Sequence, residues 1–404
     1  MNYRNNQFYI DNIPASKIFK KYGSPTYCYS ARKLQNNINN FKKNFKNLDP
    51  LICFSVKSNS NISILREIKK NGLGADVVSM GELMISLKAG INPKKIVFSG
   101  VGKSIDELSY AINKNILLIN SESESEIKSI EKIAKSKRKK VNIGIRLNPD
   151  IDAKTLKNIS TGKRENKFGL TEKNFLKVIK KYKNSSFIKI KCLSVHIGSQ
   201  ITSYIPYEKT LNVLLKIVLK SGYNFEYIDL GGGMGIDYDK KTKKLNYKKY
   251  NSLIKNFLKN VKSKIIFEPG RSIIGDSALL LTKIIYLKKN NKINFVILDA
   301  AMNDLMRPAL YGSKHRIIPL IKKKSIHNYK HEFVGPICET TDKFLTTKKF
   351  QVLKEGEILA ICDVGAYGYS LSSNYNLRQK PSEVLVINSR TKIIRKRQKL
   401  NQII

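Results

Sequence analysis

Four stretches of the chain put chemically capable side chains where an apolar run gives way to a turn. In "CFSVKSNSN" (53–61) Lys57 closes a run whose other members belong in a core, although lysine is rarely buried. His196 closes "CLSVH", Gly231, Gly232, Gly233 and Gly235 follow an apolar run in "DLGGGMG", and Glu268 and Arg271 close "FEPGR". A lysine amine attacks carbonyl carbons, and the amides of a glycine bend can hold an anion. Together they suggest a Schiff base between Lys57 and pyridoxal phosphate, with Glu268 against the pyridine nitrogen and His196 against the ring face. Burial and neighbouring cations are expected to make such an amine nucleophilic. Each residue also has a plainer reading: a solvated strand end for Lys57, a tight turn for the glycines, a core histidine satisfied by a carbonyl for His196.

What converges these residues is the order of elements. From about residue 26 to 275, apolar strands alternate with amphipathic helices, the pattern of parallel strands joined by crossover helices. Eight strands are expected, at "LICFSV", "ADVV", "KIVFSG", "ILLIN", "VNIGIRLN", "IKCLSVHIG", "EYIDL" and "KIIFEPG". Between them Leu34, Ile38, Phe41 and Phe45 share one helical face behind a Ser30 cap, and Ile62, Leu65 and Ile68 share another that ends at Gly72. The fold class expected is α/β, a (β/α)8 TIM-type barrel over 26–275, with an open doubly wound sheet as the alternative. In such a barrel the active site lies at the C-terminal ends of the strands, where all four stretches fall. Residues 276–404 change rhythm, with β segments "NFVILDA", "HEFVGPICE", "GEILAICDVG" and "EVLVIN" and a basic tail. Together with residues 1–25, whose "QFYI" adds a strand, they are expected to form an all-β domain.

Composition limits the alternatives. With 404 residues, two domains are the expected minimum, and 41% hydrophobic residues supply their cores. No run approaches the length of a membrane span, and the start of the chain has no signal-peptide core, so a soluble cytoplasmic protein is expected. Five scattered cysteines show no metal-ligand spacing, so reduced thiols and no metal site are expected. The net charge of +44 invites a nucleic-acid reading, but the lysines are spread over many polar helix faces rather than gathered in a groove. No nucleic-acid partner is therefore expected.

Eleven stretches in order carry a resemblance over about residues 25–388: "FSVKSNSN", "GADVVSMGEL", "KIVFSGVGK", "RLNPDIDAKT", "ISTGKRENKFGL", "HIGSQI", "DLGGGMGI", "EPGRSIIG", "DAAMNDLMRPALYG", "FVGPICETTD" and "GAYGYSLSSNYNLRQKPSEVLV". The chain resembles the diaminopimelate decarboxylases, relatives of the ornithine and arginine decarboxylases. The resemblance implies a pyridoxal 5'-phosphate barrel with a C-terminal β domain and a homodimer whose active sites are shared between subunits. It implies Lys57 as the Schiff-base lysine, with Asp76 and Glu82 as acidic residues near it, and His196 as the ring-stacking residue. Ser199, the glycines 231 to 235, and Pro269, Gly270 and Arg271 of "EPGR" match the phosphate site, and Glu268 the partner of the pyridine nitrogen. Arg271, Arg307 and Tyr311 match contacts to the substrate carboxylate, Glu339 a substrate contact, and Tyr367 one shared by cofactor and substrate. Cys338 matches the proton donor. The chain departs from the family at Ala301, at Thr340, and in "KTLKNISTG", where Leu156 and Lys157 stand in place of the usual His-Pro.

The implied activity is decarboxylation of meso-2,6-diaminopimelate to L-lysine. Among the basic amino acids that such enzymes take, this substrate alone has a distal carboxylate. Arg271 and Arg307 suit it through paired hydrogen bonds, and Glu339 suits the distal ammonium. Decarboxylation of ornithine, arginine or carboxynorspermidine, and cofactor binding without turnover, are the alternatives.

Overall fold

The computed structural model describes residues 1–153, 161–239, 244–291 and 293–404. The departure at Leu156 and Lys157 lies outside the described residues. Contacts divide the chain into two units. One comprises Asn39–Ile236 and Lys243–Gly270, the other Met1–Ile38, Asp237–Thr242 and Arg271–Ile404.

The first unit is built on a closed parallel barrel. Its strands are β1 (Leu51–Ser55), β2 (Gly74–Val77), β3 (Ile96–Phe98), β4 (Leu118–Ser121), β5 (Val141–Arg146), β6 (Ile188–Ser194), β7 (Tyr227–Asp229) and β8 (Lys264–Phe267), and β8 pairs back onto β1. All eight expected runs are strands of this barrel. Most of their residues are buried, as parallel strands covered on both faces require. In helix α1 (Ala31–Phe45) the four expected residues are all buried, and Ser30 Oγ accepts the Lys33 amide at 2.9 Å. Phe41 and Phe45 pack on Phe267 of β8 at 5.6 and 4.7 Å between ring centroids. Burying each such ring contributes about 1.5–3 kcal/mol. In α2 (Ile62–Lys70) the buried face is Ile64, Leu65 and Ile68. Ile62, expected on that face, is only half-buried because it is the first helical residue, before the apolar stripe is established.

The second unit holds a mixed sheet, nine-stranded among the described residues. Its labelled strands are β9 (Ala278–Asn290), β10 (Ile293–Leu298), β11 (Lys330–Val334), β12 (Lys343–Thr347), β13 (Ile358–Cys362), β14 (Ser382–Ile387) and β15 (Arg390–Arg395). The order is β12-β11-β10-β9, then Thr26–Ser30, then β14-β15, while β13 pairs with both β9 and Ile317–Pro319. Strand Thr26–Ser30 runs antiparallel to β9 and parallel to β14. "QFYI" is a strand, Gln7–Ile10, but it belongs to a separate three-stranded sheet with Asn2–Arg4 and Ile13–Pro14. A core of Phe8, Ile10, Ile18, Cys28, Leu279, Leu281, Leu320 and Val384 joins the terminal segment to the main sheet.

Candidate active site

In the barrel unit the polar side chains gather where the strands end. β1 stops at Ser55, and Lys57 lies just beyond, in the single turn Val56–Ser58. Lys57 Nζ is 3.1 Å from Asp76 Oδ2, an oxygen that also accepts from Ser55 Oγ at 2.6 Å. The sequence reading expected cations beside this amine. The neighbour in hydrogen-bond contact is instead an anion, because β2 places Asp76 next to Ser55 in register. Asp76 is fully buried, and its Oδ1 has no hydrogen-bond partner. Glu82 accepts the Val78 amide at 2.9 Å, and burial pushes its carboxyl up to about 7.

Glu268 follows β8 directly and is buried. Burial and then the nearby charges of Asp229 and Asp76 raise its pKa well above the ordinary range, so Glu268 carries a proton and donates it to Asp229. Asp229, the last residue of β7, accepts from Asn120 Nδ2 at 2.9 Å, Ser194 Oγ at 3.2 Å and the Gly231 amide at 2.9 Å. Ser99 Oγ reaches Glu268 Oε1 at 3.4 Å. Even with Glu268 protonated, the two buried carboxylates Asp76 and Asp229 are met, among the described residues, by one ammonium, that of Lys57. A positively charged ring nitrogen beside Glu268 would relieve this excess, so the residues fit a pyridoxal ring.

His196 lies two residues past β6. Its Nδ1 accepts the Gly232 amide at 3.2 Å, so the ring proton is on Nε2. Burial, then the Lys57 and Arg146 charges, drive its pKa well below the usual value, and the ring is neutral. It is tied to an amide of the glycine bend rather than to a carbonyl. The bend needs its glycines: Gly231 and Gly233 have φ of +64° and +88°, and a Cβ on Gly233 would lie 2.4 Å from the Gly198 carbonyl oxygen. The amides of Gly231, Gly232 and Gly235 are taken by Asp229 Oδ1, His196 Nδ1 and the Ile201 carbonyl. Gly233 and Met234 follow with no such amide contact among the described residues, which makes them the donors best placed for an anion. Ser199 is half-buried at the end of the preceding loop. Pro269 accepts the Ser55 amide at 3.2 Å, and a Cβ on Gly270 would lie 2.9 Å from Ser58 Oγ, so this corner packs tightly beside Lys57.

The other expected residues belong to the sheet unit. Arg271 and Arg307 are buried around one tyrosine that the sequence reading missed. Tyr238 Oη accepts from Arg271 Nη1 at 2.5 Å, and the Arg307 guanidinium lies over its ring, 4.6 Å from the centroid. Arg307 opens the short helix Arg307–Tyr311, makes no ion pair among the described residues, and has a buried Nε without a hydrogen-bond partner. Burial and the Arg271 charge lower its pKa. Tyr367 lies under Arg271 at 5.0 Å and has φ of +56°, a backbone conformation costly for a bulky residue and concentrated at functional sites. Tyr311 is half-buried. Cys338 is exposed, as is Glu339, whose carboxylate accepts from Tyr375 Oη and from Thr341 Oγ1 at 3.1 Å. Ala301 is buried, its amide donating to Asp304 Oδ2 at 2.9 Å. Among the described residues no helix is long and apolar enough to cross a membrane.

Asn120, Asp229, Glu122 and Arg146 were also missed. Arg146 ends β5, pairs with Glu122 Oε1 at 2.8 Å and donates to the His196 carbonyl at 3.3 Å. A polar residue closing an apolar strand was the available signal, the same one that singled out Lys57.

Residues 31–275 match the family model described as pyridoxal-dependent decarboxylase, pyridoxal binding domain. Set over an eight-stranded barrel with a separate sheet unit, this match defines the class as the pyridoxal-dependent decarboxylases. A diaminopimelate decarboxylase of Aquifex aeolicus is 38% identical over 410 aligned residues, covering 100% of this chain and 96% of that protein. The structure of the Helicobacter pylori diaminopimelate decarboxylase complexed with L-lysine superposes with a TM-score of 0.92 at 41% identity, covering 96% of this chain and 98% of that one. That of the enzyme from M. jannaschii gives 0.94 at 34% identity, covering 100% and 96%. The chain belongs to the diaminopimelate decarboxylase family.

Proposed function

We propose that the chain decarboxylates meso-2,6-diaminopimelate to L-lysine and CO2, using pyridoxal 5'-phosphate held by Lys57. When bound, the cofactor supplies an electron sink for the negative charge left at Cα as CO2 departs. The remaining work is done by the chain's own groups. Asp76 and Ser55 hold the Lys57 amine at the strand end. Glu268, backed by Asp229, presents a protonatable carboxyl to the ring nitrogen, and the neutral His196 offers an uncharged face. Ser199, Gly270 and the glycine bend, through the amides of Gly233 and Met234, receive the phosphate.

Substrate choice is assigned to the sheet unit's residues. A guanidinium buried without a carboxylate partner is costly, and an incoming carboxylate offsets that cost. Arg307 is such a group, and Arg271, Tyr311 and Tyr367 complete the contacts to the substrate carboxylate. Glu339 meets the distal ammonium. Cys338 gives a proton to Cα after CO2 leaves, its exposure allowing reprotonation from solvent. We further propose a homodimer with shared active sites and a cytoplasmic location suited to free thiols.

The observation that carries the reading is the pairing of Lys57 with buried Asp76 at the end of β1, in a chain that aligns along its whole length with the family. CO2 release from meso-diaminopimelate, lysine, ornithine and arginine tests it. Release from meso-diaminopimelate alone is expected. Release only from ornithine or arginine would move the protein to a related specificity, and a cofactor-bound protein inert on all four would leave it a binding protein.

A further inference from the structure

His315 belongs to none of the strand ends and to no motif read from the sequence, yet it is fully buried and makes two short contacts. Its Nδ1 is 2.8 Å from the Cys362 carbonyl oxygen, and its Nε2 is 2.8 Å from Arg307 Nη1. A carbonyl only accepts, so Nδ1 carries the ring hydrogen and Nε2 offers a lone pair to the guanidinium. The same guanidinium donates through Nη2 to Ser313 Oγ at 3.2 Å and lies over the Tyr238 ring, whose edge meets the His315 ring at 5.1 Å between centroids. Arg307 is thus gripped on its terminal nitrogens and one face.

We propose that His315 is a positioning residue: as a neutral imidazole anchored to β13 through the Cys362 carbonyl, it fixes the plane of the Arg307 guanidinium so that the remaining N–H groups meet a substrate carboxylate. This rests on the reading of Arg307 as a carboxylate contact. The role needs an acceptor at Nε2, because a second ring hydrogen would oppose the guanidinium N–H and break the contact. Burial, with Arg307 adding to it, lowers the His315 pKa to about 3, so at neutral pH the ring keeps its Nε2 lone pair. A planar fork aligned in advance loses less freedom when it binds a carboxylate.

The test compares His315→Phe, His315→Gln, Arg307→Ala and the double variant Arg307→Ala/His315→Phe as holoenzymes, each checked for bound cofactor and thermal stability. Phe keeps the ring volume without an acceptor, whereas Gln restores an acceptor near the Nε2 position. His315→Phe is expected to raise KM for meso-diaminopimelate about tenfold with kcat changed less than about threefold, the loss expected of one hydrogen bond to a charged group. His315→Gln should recover most of the difference, and the double variant should be no worse than Arg307→Ala. If Arg307→Ala raises KM but His315→Phe leaves it unchanged, or lowers kcat instead, the positioning role is refuted. An unchanged KM in Arg307→Ala refutes the underlying reading of Arg307. Should His315→Phe not fold, 15N-labelled histidine in the wild-type chain, which has four histidines, decides by spectroscopy. A neutral Nδ1–H ring whose Nε2 shift moves in Arg307→Ala supports the proposal, and an Nε2–H or doubly protonated ring overturns it.

Discussion

Gly232 is the position where one methyl group should separate binding geometry from bulk stability. Its φ is not in the left-handed region, so alanine brings no backbone strain there. The difficulty is space: an added Cβ would lie 2.1 Å from the Glu268 carbonyl oxygen and 3.0 Å from its carbonyl carbon, whereas ordinary contact begins at 3.4 Å. About 1.3 Å of displacement is needed against the oxygen, and it meets backbone rather than a flexible side chain. The Glu268 amide donates to the Gly231 carbonyl at 2.8 Å, so the glycine bend and the end of β8 move together. A shift of that size carries Glu268 and the Gly232–His196 hydrogen bond out of register. Misplacement by about 1 Å costs on the order of 10²-fold in rate, and overpacking costs about 1–3 kcal/mol of stability. Gly232→Ala should therefore lower kcat/KM for CO2 release about 10²-fold and weaken cofactor retention, measured by absorbance titration. Gly102→Ala is the control, since a Cβ there meets nothing within 4 Å. Activity within about twofold of wild type in Gly232→Ala, or equal damage in Gly102→Ala, would show that close packing of these two backbones does not position the site.

Lys57→Ala should abolish both turnover and the visible absorbance of bound cofactor; an active variant would remove Lys57 from the chemistry. Cys338→Ala should retain cofactor while turnover falls roughly 10²–10⁴-fold, and an unchanged kcat would assign proton delivery elsewhere. Glu82 predicts a pH dependence. Its carboxyl is raised on folding from 4.5 to about 7, so the folded chain binds more protons between those values and loses stability as pH rises through that window. Glu82→Gln, which keeps an acceptor for the Val78 amide, should shrink the fall in Tm between pH 5 and pH 8. An undiminished fall would mean that Glu82 stays solvated.

The barrel was legible because parallel strands covered on both faces are continuous apolar runs, and four of them, the first, sixth, seventh and eighth, gave way to Lys57, His196, the glycine bend and Glu268. The same property hid strand Thr26–Ser30. "TYCYS" is buried throughout and reads as well for a barrel as for the mixed sheet it joins, because pairing partners are set by tertiary contacts rather than by the segment itself. β9 was passed over because its second half, "YLKKN", turns polar and hides thirteen residues of strand. Lys57, Glu268 and the glycine bend could be found by position alone. Tyr238 and His315 could not: both stand in loop sequence with no periodicity, and their value comes from the arginines that folding brings to them.

The pairing of Thr26–Ser30 with β14 has a consequence for biosynthesis. A ribosome adding about 5–20 residues per second makes one of these neighbours roughly 20–70 s after the other. Until the last segment emerges, the early strand has a bare hydrogen-bonding edge, while everything needed to close the barrel is already outside the exit tunnel. A nascent polypeptide halted before position 382 should therefore carry a finished barrel and an incomplete sheet, and that open edge is where holdase chaperones would be expected to wait.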